Sequence, residues 1–296
     1  MEKVHIKRRV SNSPFLLTKS SFSNILIVNN CEVNSMRVYY MNGAGNDFMV
    51  MDARDKNYSF AELEALTKEY CPLTGADGFM AIDHSDKADF KLHFYNSDGT
   101  RGEMCGNGAR CICRFAYELG VAGEEMVVET DAGLVYGTRL SETEYRVLLN
   151  NPGVLDLNRK TDAAYVELGN PGVPHAVKEV EGLTWEQKEE LFEMAKALRY
   201  DKAFPKGANA NLYTWIGENE IRILTYERGV EDYTLACGTG SASTVVVLYK
   251  KGLVPDGKLI VQNPGGTLKV AIEEEHGEIK KLYLEGPTEI SKIYEM

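Results

Sequence analysis

The chain has 296 residues, 44% of them hydrophobic and 26% charged, with a formal net charge of −11. This is the composition of a soluble globular protein with room for one large domain or two ordinary ones and a sizeable core. An acidic balance without a basic stripe excludes nucleic acid as the expected partner, and no apolar run approaches the length of a membrane span.

Residues 1–35 differ from the rest: they open basic and then become rich in Ser and Asn. The apolar piece Ile-Leu-Ile-Val within them is too short for a signal-peptide core. A disordered N-terminal extension ahead of Met36 is expected there.

From Met36 onward the chain runs through one plan twice. "RVYYMNGAGNDFMVMD" (37–52) opens the first half, and "FKLHFYNSDG" (90–99) alternates apolar residues at Phe90, Leu92 and Phe94, which predicts a strand. A short loop leads to Cys-Gly-Asn-Gly at 105–108, then to the helical stretch "ARCICRFAYELG", which should stop at Gly120. The hairpin-like "EMVVETDAGLVYG" comes next, and "NNPGVLDLN" (150–158) has the composition of a hinge.

The second half opens with "AAYVELGNPGVPHAV". "TWEQKEELFEMAKALRY" (184–200) predicts an amphipathic helix with Thr184 as N-cap and Gln187 completing a capping box. "IRILTYERG" (221–229) alternates like its counterpart, with Ile221, Ile223 and Thr225 on one face. Cys-Gly-Thr-Gly at 237–240, the helical "SASTVVVLYKKG" ending at Gly252, and the hairpin-like "KLIVQNPGGTLKV" complete the parallel. Cys105 and Cys237 lie 132 residues apart. That separation is too long for a solenoid repeat and indicates two like units, mostly strands with one long helix each.

The cysteines are Cys31, Cys71, Cys105, Cys111, Cys113 and Cys237, in a pattern that resembles no disulfide scaffold and fits a reducing cytoplasm. The two-residue step from Cys111 to Cys113 is not the usual zinc-ligand spacing, so no metal is expected. Cys71, Cys111 and Cys113 lack a following Gly-x-Gly and are expected to pack in the core.

Cys105 and Cys237 are different. A helix N-terminus carries unpaired N–H groups and partial positive charge, which favour a thiolate, and the following glycines let a carboxylate approach those amides. Each Cys-Gly-x-Gly can therefore hold a carboxylate and set a sulfur beside it. Two such sites suggest inversion of a carbon, one sulfur removing a proton from one face and the other returning one on the opposite face. The competing reading, buried packing thiols, is weakened by the matched positions of the pair.

At these residues the sequence resembles the diaminopimelate epimerase family, over about residues 36–296. The similarity is carried by "GAGNDF" (43–48), "GADG" (75–78), "FYNSDGTRGEMCGNGARC" (94–111), "PHAV" (174–177), "NANL" (209–212), "YERG" (226–229) and "TLACGTGSAS" (234–243). Proline racemases share the two-cysteine logic with Cys-Gly-His-Gly at the first site, where this chain has Asn107.

The resemblance implies an α/β fold of two pseudo-symmetric domains, each a sheet rolled around a central helix, with the site in the cleft between them. The domains are expected at 36–150 and 151–284, with a C-terminal strand, 285–296, returning to the first. It also implies Cys105 and Cys237 as the catalytic pair, with Glu227 and His175 assisting the thiols. The amides of Gly106, Asn107, Gly238 and Thr239 would hold the α-carboxylate, and Asn46, Asn96, Asn170, Asn209, Glu227 and Arg228 would contact substrate.

Taken alone, His175 reads as a structural histidine, and Asn46 and Asn96 as turn formers. The family's Gly-Asn-Pro-His is here Gly-Asn-Pro-Gly-Val-Pro-His, which sets Asn170 three residues further from His175. The stretch between "YERG" and "ACGTG" is one residue longer than usual, and "YCPLT" lacks the Asp-Arg often found before "GADG".

The expected function is epimerisation of LL- to meso-diaminopimelate in lysine and peptidoglycan precursor synthesis, without pyridoxal phosphate or any other cofactor. The expected partners are a small-molecule amino-acid substrate and a second copy in a homodimer, with no nucleic acid and no membrane. The alternatives are a racemase of the same family acting on another amino acid, histidine for example, and a non-catalytic thiol or metal-binding protein.

Overall fold

A computed structural model describes residues 3–5, 36–102, 104–160 and 162–295. The expected extension over 1–35 lies outside the described residues except for one short strand, β1 (Lys3–His5). The first half then runs β2 (Arg37–Gly43), β3 (Asn46–Asp52), α1 (Phe60–Thr74), β4 (Gly78–Asp83), β5 (Phe90–Asn96), α2 (Gly106–Glu118), β6 (Glu125–Thr130), β7 (Gly133–Arg139), β8 (Glu144–Leu149) and β9 (Pro152–Lys160). The second half repeats that order: β10 (Ala163–Gly169), β11 (Gly172–Glu179), α3 (Lys188–Arg199), β12 (Asn209–Gly217), β13 (Glu220–Glu227), the short β14 (Asp232–Thr234), α4 (Gly238–Lys250), β15 (Lys258–Asn263), β16 (Gly266–Glu275), β17 (Glu278–Pro287) and β18 (Glu289–Glu295).

Both halves use the same pairing. β2 and β3 form a hairpin, β3 pairs parallel with β4, and β4–β5 is again antiparallel, just as β10–β11 is followed by parallel β11–β12 and antiparallel β12–β13. The last strand of each half is exchanged. β9 pairs with β10 of the second half, and β18 returns to pair with β2 of the first. β8 and β17 pair antiparallel and join the two curled sheets into one ribbon. The hinge expected at 150–158 is therefore confined to Asn150 and Asn151, since the rest of that segment is the exchanged strand β9.

Alternation along the strands decides what each face covers. On β3 and β4, Phe48, Val50, Met80 and Ile82 face inward onto α2, while Met49, Met51, Phe79 and Ala81 face outward onto Leu63, Tyr70 and Cys71 of α1. On β12 and β13, Tyr213, Ile221 and Ile223 face the core around α4, while Ala210, Leu212 and Leu224 pack under Leu191, Ala195 and Leu198 of α3. α2 and α4 thus each lie inside a curled sheet, and both belong to one continuous apolar core.

The inner helices end alike. Gly120 and Gly252 have φ of 68° and 75°, and their N–H groups return to the carbonyls of Tyr117 and Tyr249 at 2.9 and 2.8 Å. The capping box ahead of α3 forms as the sequence indicates, with Thr184 N–H donating to Gln187 Oε1 at 2.9 Å, although one 3-10 turn (Trp185–Gln187) precedes the α-helix.

Candidate active site

α2 and α4 start at equivalent places, and each is preceded by a cysteine in extended conformation: Cys105 at φ −126°, ψ 123° and Cys237 at φ −117°, ψ 108°. Each sulfur turns back over the first turn of its helix. Gly240 N–H donates to Cys237 Sγ at 3.3 Å, and Thr239 Oγ1 lies 3.5 Å from the same sulfur. Cys105 makes no such capping bond, although the amides of Gly108 and Asn107 lie near enough to pull its thiol pKa down.

The two helix starts meet. Asn107 Nδ2 donates to Asn46 Oδ1 at 2.7 Å and lies 3.5 Å from the carbonyl of Ala236, the residue before Cys237. Leu284 of β17 lies against the first glycine of each helix: a Cβ on Gly106 would come within 3.0 Å of its Cδ2, and one on Gly238 within 2.6 Å. A side chain at either position would have to displace the end of Leu284, more so at Gly238 than at Gly106.

Burial pushes the Cys105 thiol up, and Glu227 adds to the rise, against the opposing pull of the two amides and of Arg110. Cys237 is driven by the same causes to about 12. In this structure desolvation and the Glu227 charge outweigh the helix-start effect anticipated from the sequence, and both sulfurs are neutral thiols at physiological pH. Glu227 ends β13 and acts on both of them, and its own carboxyl is raised by burial. Arg110, one turn into α2, is fully buried, and among the described residues its Nε and Nη2 have no hydrogen-bond partner.

His175, on β11, is fully buried, and its pKa is lowered to about 3, chiefly by burial and then by the Arg228 charge. Asn209 opposes it on β12 and accepts the backbone N–H of Arg228 through Oδ1 at 2.7 Å. The Arg228 side chain is exposed, and its Nη1 donates to the Lys206 carbonyl at 3.2 Å. Asn46 donates through Nδ2 to Asp77 Oδ2 at 3.2 Å while accepting from Asn107, so the "GAGN" and "GADG" turns are tied to the start of α2.

Two predicted contacts sit apart from this network. Asn96 is exposed, and its Nδ2 donates to Thr100 Oγ1 at 3.0 Å within its own turn. Asn170 is exposed at the tip of the β10–β11 hairpin, next to Pro171 in a cis peptide. Sequence reasoning passed over Asn211 and Asp77. Asn211 is fully buried on the inner face of β12, and its presence in "NANL", two residues after Asn209, was the available signal. Cys71, Cys111 and Cys113 are buried free thiols, pushed up to about 12 by burial. No cluster of His, Cys, Asp and Glu side chains able to hold a metal occurs among the described residues.

A duplicated, curled sheet with a cysteine just before each inner helix defines an isomerase of the epimerase and racemase class. The family model described as "Diaminopimelate epimerase" matches residues 38–151 and 167–290, and the chain belongs to that family. It is 36% identical over 277 residues to the diaminopimelate epimerase of Aquifex aeolicus, covering 88% of this chain and 96% of that one. It is 34% identical over 261 residues to the diaminopimelate epimerase of Archaeoglobus fulgidus, covering 81% and 91%. Among solved structures, it shares its fold with a Bacillus anthracis phenazine biosynthesis protein of the PhzF family, at a TM-score of 0.65 and 13% identity over 88% of this chain and 99% of that one. It shares it also with a probable proline racemase from Agrobacterium radiobacter K84, at 0.60 and 16% identity over 87% and 92%.

Proposed function

We propose that this protein interconverts LL- and meso-diaminopimelate by a two-base mechanism in which Cys105 and Cys237 serve opposite faces of the α-carbon. The observation that carries the reading is the meeting of two helix starts, each preceded by a cysteine, that share Leu284 and are linked through Asn107. The substrate's α-carboxylate sits between the first-turn amides of Gly106, Asn107, Gly238 and Thr239, where unpaired N–H groups favour an anion.

One sulfur must become a thiolate before it can take the α-proton. Glu227, raised by burial and near enough for its charge to act on both thiols, is suited to accept that first proton. The thiolate then removes the α-hydrogen as a proton, the electron pair stays on the α-carbon, and the other thiol donates its own proton to the opposite face. Arg228, whose backbone is tied to Asn209, is assigned to the distal carboxylate, which its guanidinium can hold by a two-bond fork. Asn46, Asn96, Asn170 and Asn209 are the polar side chains assigned to the rest of the substrate.

The working unit is proposed as a homodimer of cytoplasmic chains. Its two domains are taken as 36–150 with 285–296, and 151–284. Among the described residues no helix is long and apolar enough to cross a membrane.

The test is incubation with a panel of amino acids in D₂O and observation of the α-position by NMR. α-Deuterium should enter diaminopimelate in wild type and not in Cys105→Ala or Cys237→Ala, with epimerisation lowered by about 10²–10⁴-fold or more. Exchange into histidine in preference to diaminopimelate would leave the two-thiol chemistry standing and overturn the substrate. No exchange into any amino acid would overturn both.

A further inference from the structure

His175 Nδ1 lies 3.2 Å from Asn211 Nδ2, inside a site whose hydrogen-bond directions can be assigned. The same Nδ2 faces the carbonyls of Ala176 at 3.0 Å and Asn209 at 3.1 Å, and both can only accept. The other end of the amide, Oδ1, accepts from Thr225 Oγ1 at 3.0 Å. A flipped amide would set an oxygen against two carbonyl oxygens, so the nitrogen is the atom that faces the imidazole. Nδ2 has two hydrogens to divide among these three acceptors, and as an amide nitrogen it cannot itself accept, so a neutral ring turns the lone pair of Nδ1 toward it and carries its proton on Nε2.

The strands enforce this placement. β11 and β12 run parallel with His175 opposite Asn209 and Val177 opposite Asn211, and β12 and β13 put Asn211 opposite Thr225. All three polar side chains therefore project from the inner face of the sheet toward α4. The fit there is tight, because a Cβ on Gly240 would come within 2.3 Å of Asn211 Oδ1. Asn211 is thus clamped between His175 and the helix start that carries Cys237. His175 Nε2 is buried and has no hydrogen-bond partner among the described residues.

We propose that Asn211 is a positioning residue that locks His175 in its Nε2–H tautomer, so that the ring offers the bound substrate or a neighbouring sulfur a fixed hydrogen-bond donor and not a base. The consequence for the two-thiol reading, on which the donor's role rests, is an unequal division of labour. Glu227 can accept a proton, whereas His175 already carries the one it has and stabilises negative charge without moving it. The two larger influences on the ring favour the neutral form, against an opposing contribution from the contact with Asn211. Burial disfavours the imidazolium, and Arg228, the charge that acts on it, does so too.

The decisive measurement is the side-chain ¹⁵N spectrum of His175 in the full-length wild-type protein, by long-range ¹H–¹⁵N correlation. A pyrrole-like Nε2 and a pyridine-like Nδ1, unchanged from about pH 8 to about pH 5, are expected for a ring held neutral this far below its usual range. An Nδ1–H tautomer, or titration near the ordinary histidine value, overturns the proposal. In Asn211→Asp the carboxylate becomes an acceptor facing Nδ1, so the tautomer should reverse or the ring become doubly protonated. kcat should then fall by about a hundredfold, the contribution of one placed donor, with KM changing less. An Asp variant that keeps both the wild-type tautomer and wild-type kcat overturns it. Should the Asp side chain prevent folding, the wild-type spectrum decides alone. Because the spectrum does not depend on which amino acid is turned over, failure of the substrate assignment and failure of this inference are separable.

Discussion

A cysteine at a helix start experiences two opposed effects, and at Cys105 and Cys237 burial prevails. Amides at 3.3 Å lower a thiol pKa, but sealing the sulfur between two curled sheets and placing Glu227 beside it raises it further. The balance differs from that of a reactive, exposed cysteine, and it has a measurable sign. For a thiol at its ordinary value of 9.0, alkylation by iodoacetamide levels off as pH passes that value. Since the Cys237 thiol sits near 12, its alkylation in the free enzyme should keep rising about tenfold per pH unit from pH 8 to pH 10. Mass spectrometry of the labelled peptide checks this, and a plateau near pH 8 would show that the helix amides prevail after all. Arg110 argues for the same economy of charge. A buried cation with two nitrogens unpartnered among the described residues, close enough to oppose the rise of the Cys105 thiol, is tolerable where a thiolate and a carboxylate are to be held nearby.

At the scale of elements, the sequence disclosed most where a local signal and a tertiary role coincide. The strands around Phe90 and Ile221 were legible because one face packs on a helix and the other on a second layer, and the glycine stops of α2 and α4 because only a positive φ closes them. α1 went unread although Ser59 and Glu62 form a capping box, with Ser59 N–H donating to Glu62 Oε2 at 2.8 Å. Its "YCPLT" end contains Pro72, which reads locally as a break. The exchange of β9 was illegible for another reason. Asn-Asn-Pro-Gly is turn chemistry, and only the edge offered by β10 makes residues 152–160 a strand.

The contact of Leu284 with Gly106 and Gly238 was equally hidden, since it joins residues from three separate elements. It yields a specific expectation. Gly238→Ala should destabilise the protein by about 1–3 kcal/mol through overpacking and lower kcat/KM by tilting the start of α4. Leu284→Val in the same chain should recover much of both losses by vacating the space the new methyl needs. Urea unfolding together with steady-state kinetics on the single and double variants measures the coupling, and simple additivity would mean that Leu284 is not the obstacle.

At the scale of the whole molecule, the two halves also touch at a pair of turns, apart from the helix starts, the β8–β17 seam and the exchanged strands. The β2–β3 turn of the first half lies on the β15–β16 turn of the second. A Cβ on Gly45 would come within 2.7 Å of Gly265 Cα, and one on Gly265 within 2.7 Å of the Ala44 carbonyl oxygen and 2.9 Å of Gly45 Cα. Leu235 completes the stack: its carbonyl accepts Gly265 N–H at 2.7 Å, and its Cβ would lie 2.9 Å from a Cβ on Gly265. This is backbone against backbone, with no flexible side chain able to give way. The turn on one side leads directly into Asn46, which holds Asn107, and Leu235 on the other leads into Ala236 and Cys237. The glycine contact therefore sets how closely the two halves, and with them the two sulfurs, approach. Gly265→Ala should hold the turns apart by a few tenths of an ångström or more and loosen the Asn46–Asn107 link. The cost in stability should be about 1–3 kcal/mol. Because each sulfur must reach the same carbon from its own half, kcat should fall further than stability alone explains. Single-turnover α-deuterium exchange separates the two effects. A variant that remains folded at the assay temperature yet loses about tenfold or more in the chemical step marks a geometric role for the contact, since a displacement of about 1 Å can remove 10²-fold. A variant with unaltered chemistry and only a lower urea midpoint would reduce Gly45 and Gly265 to packing.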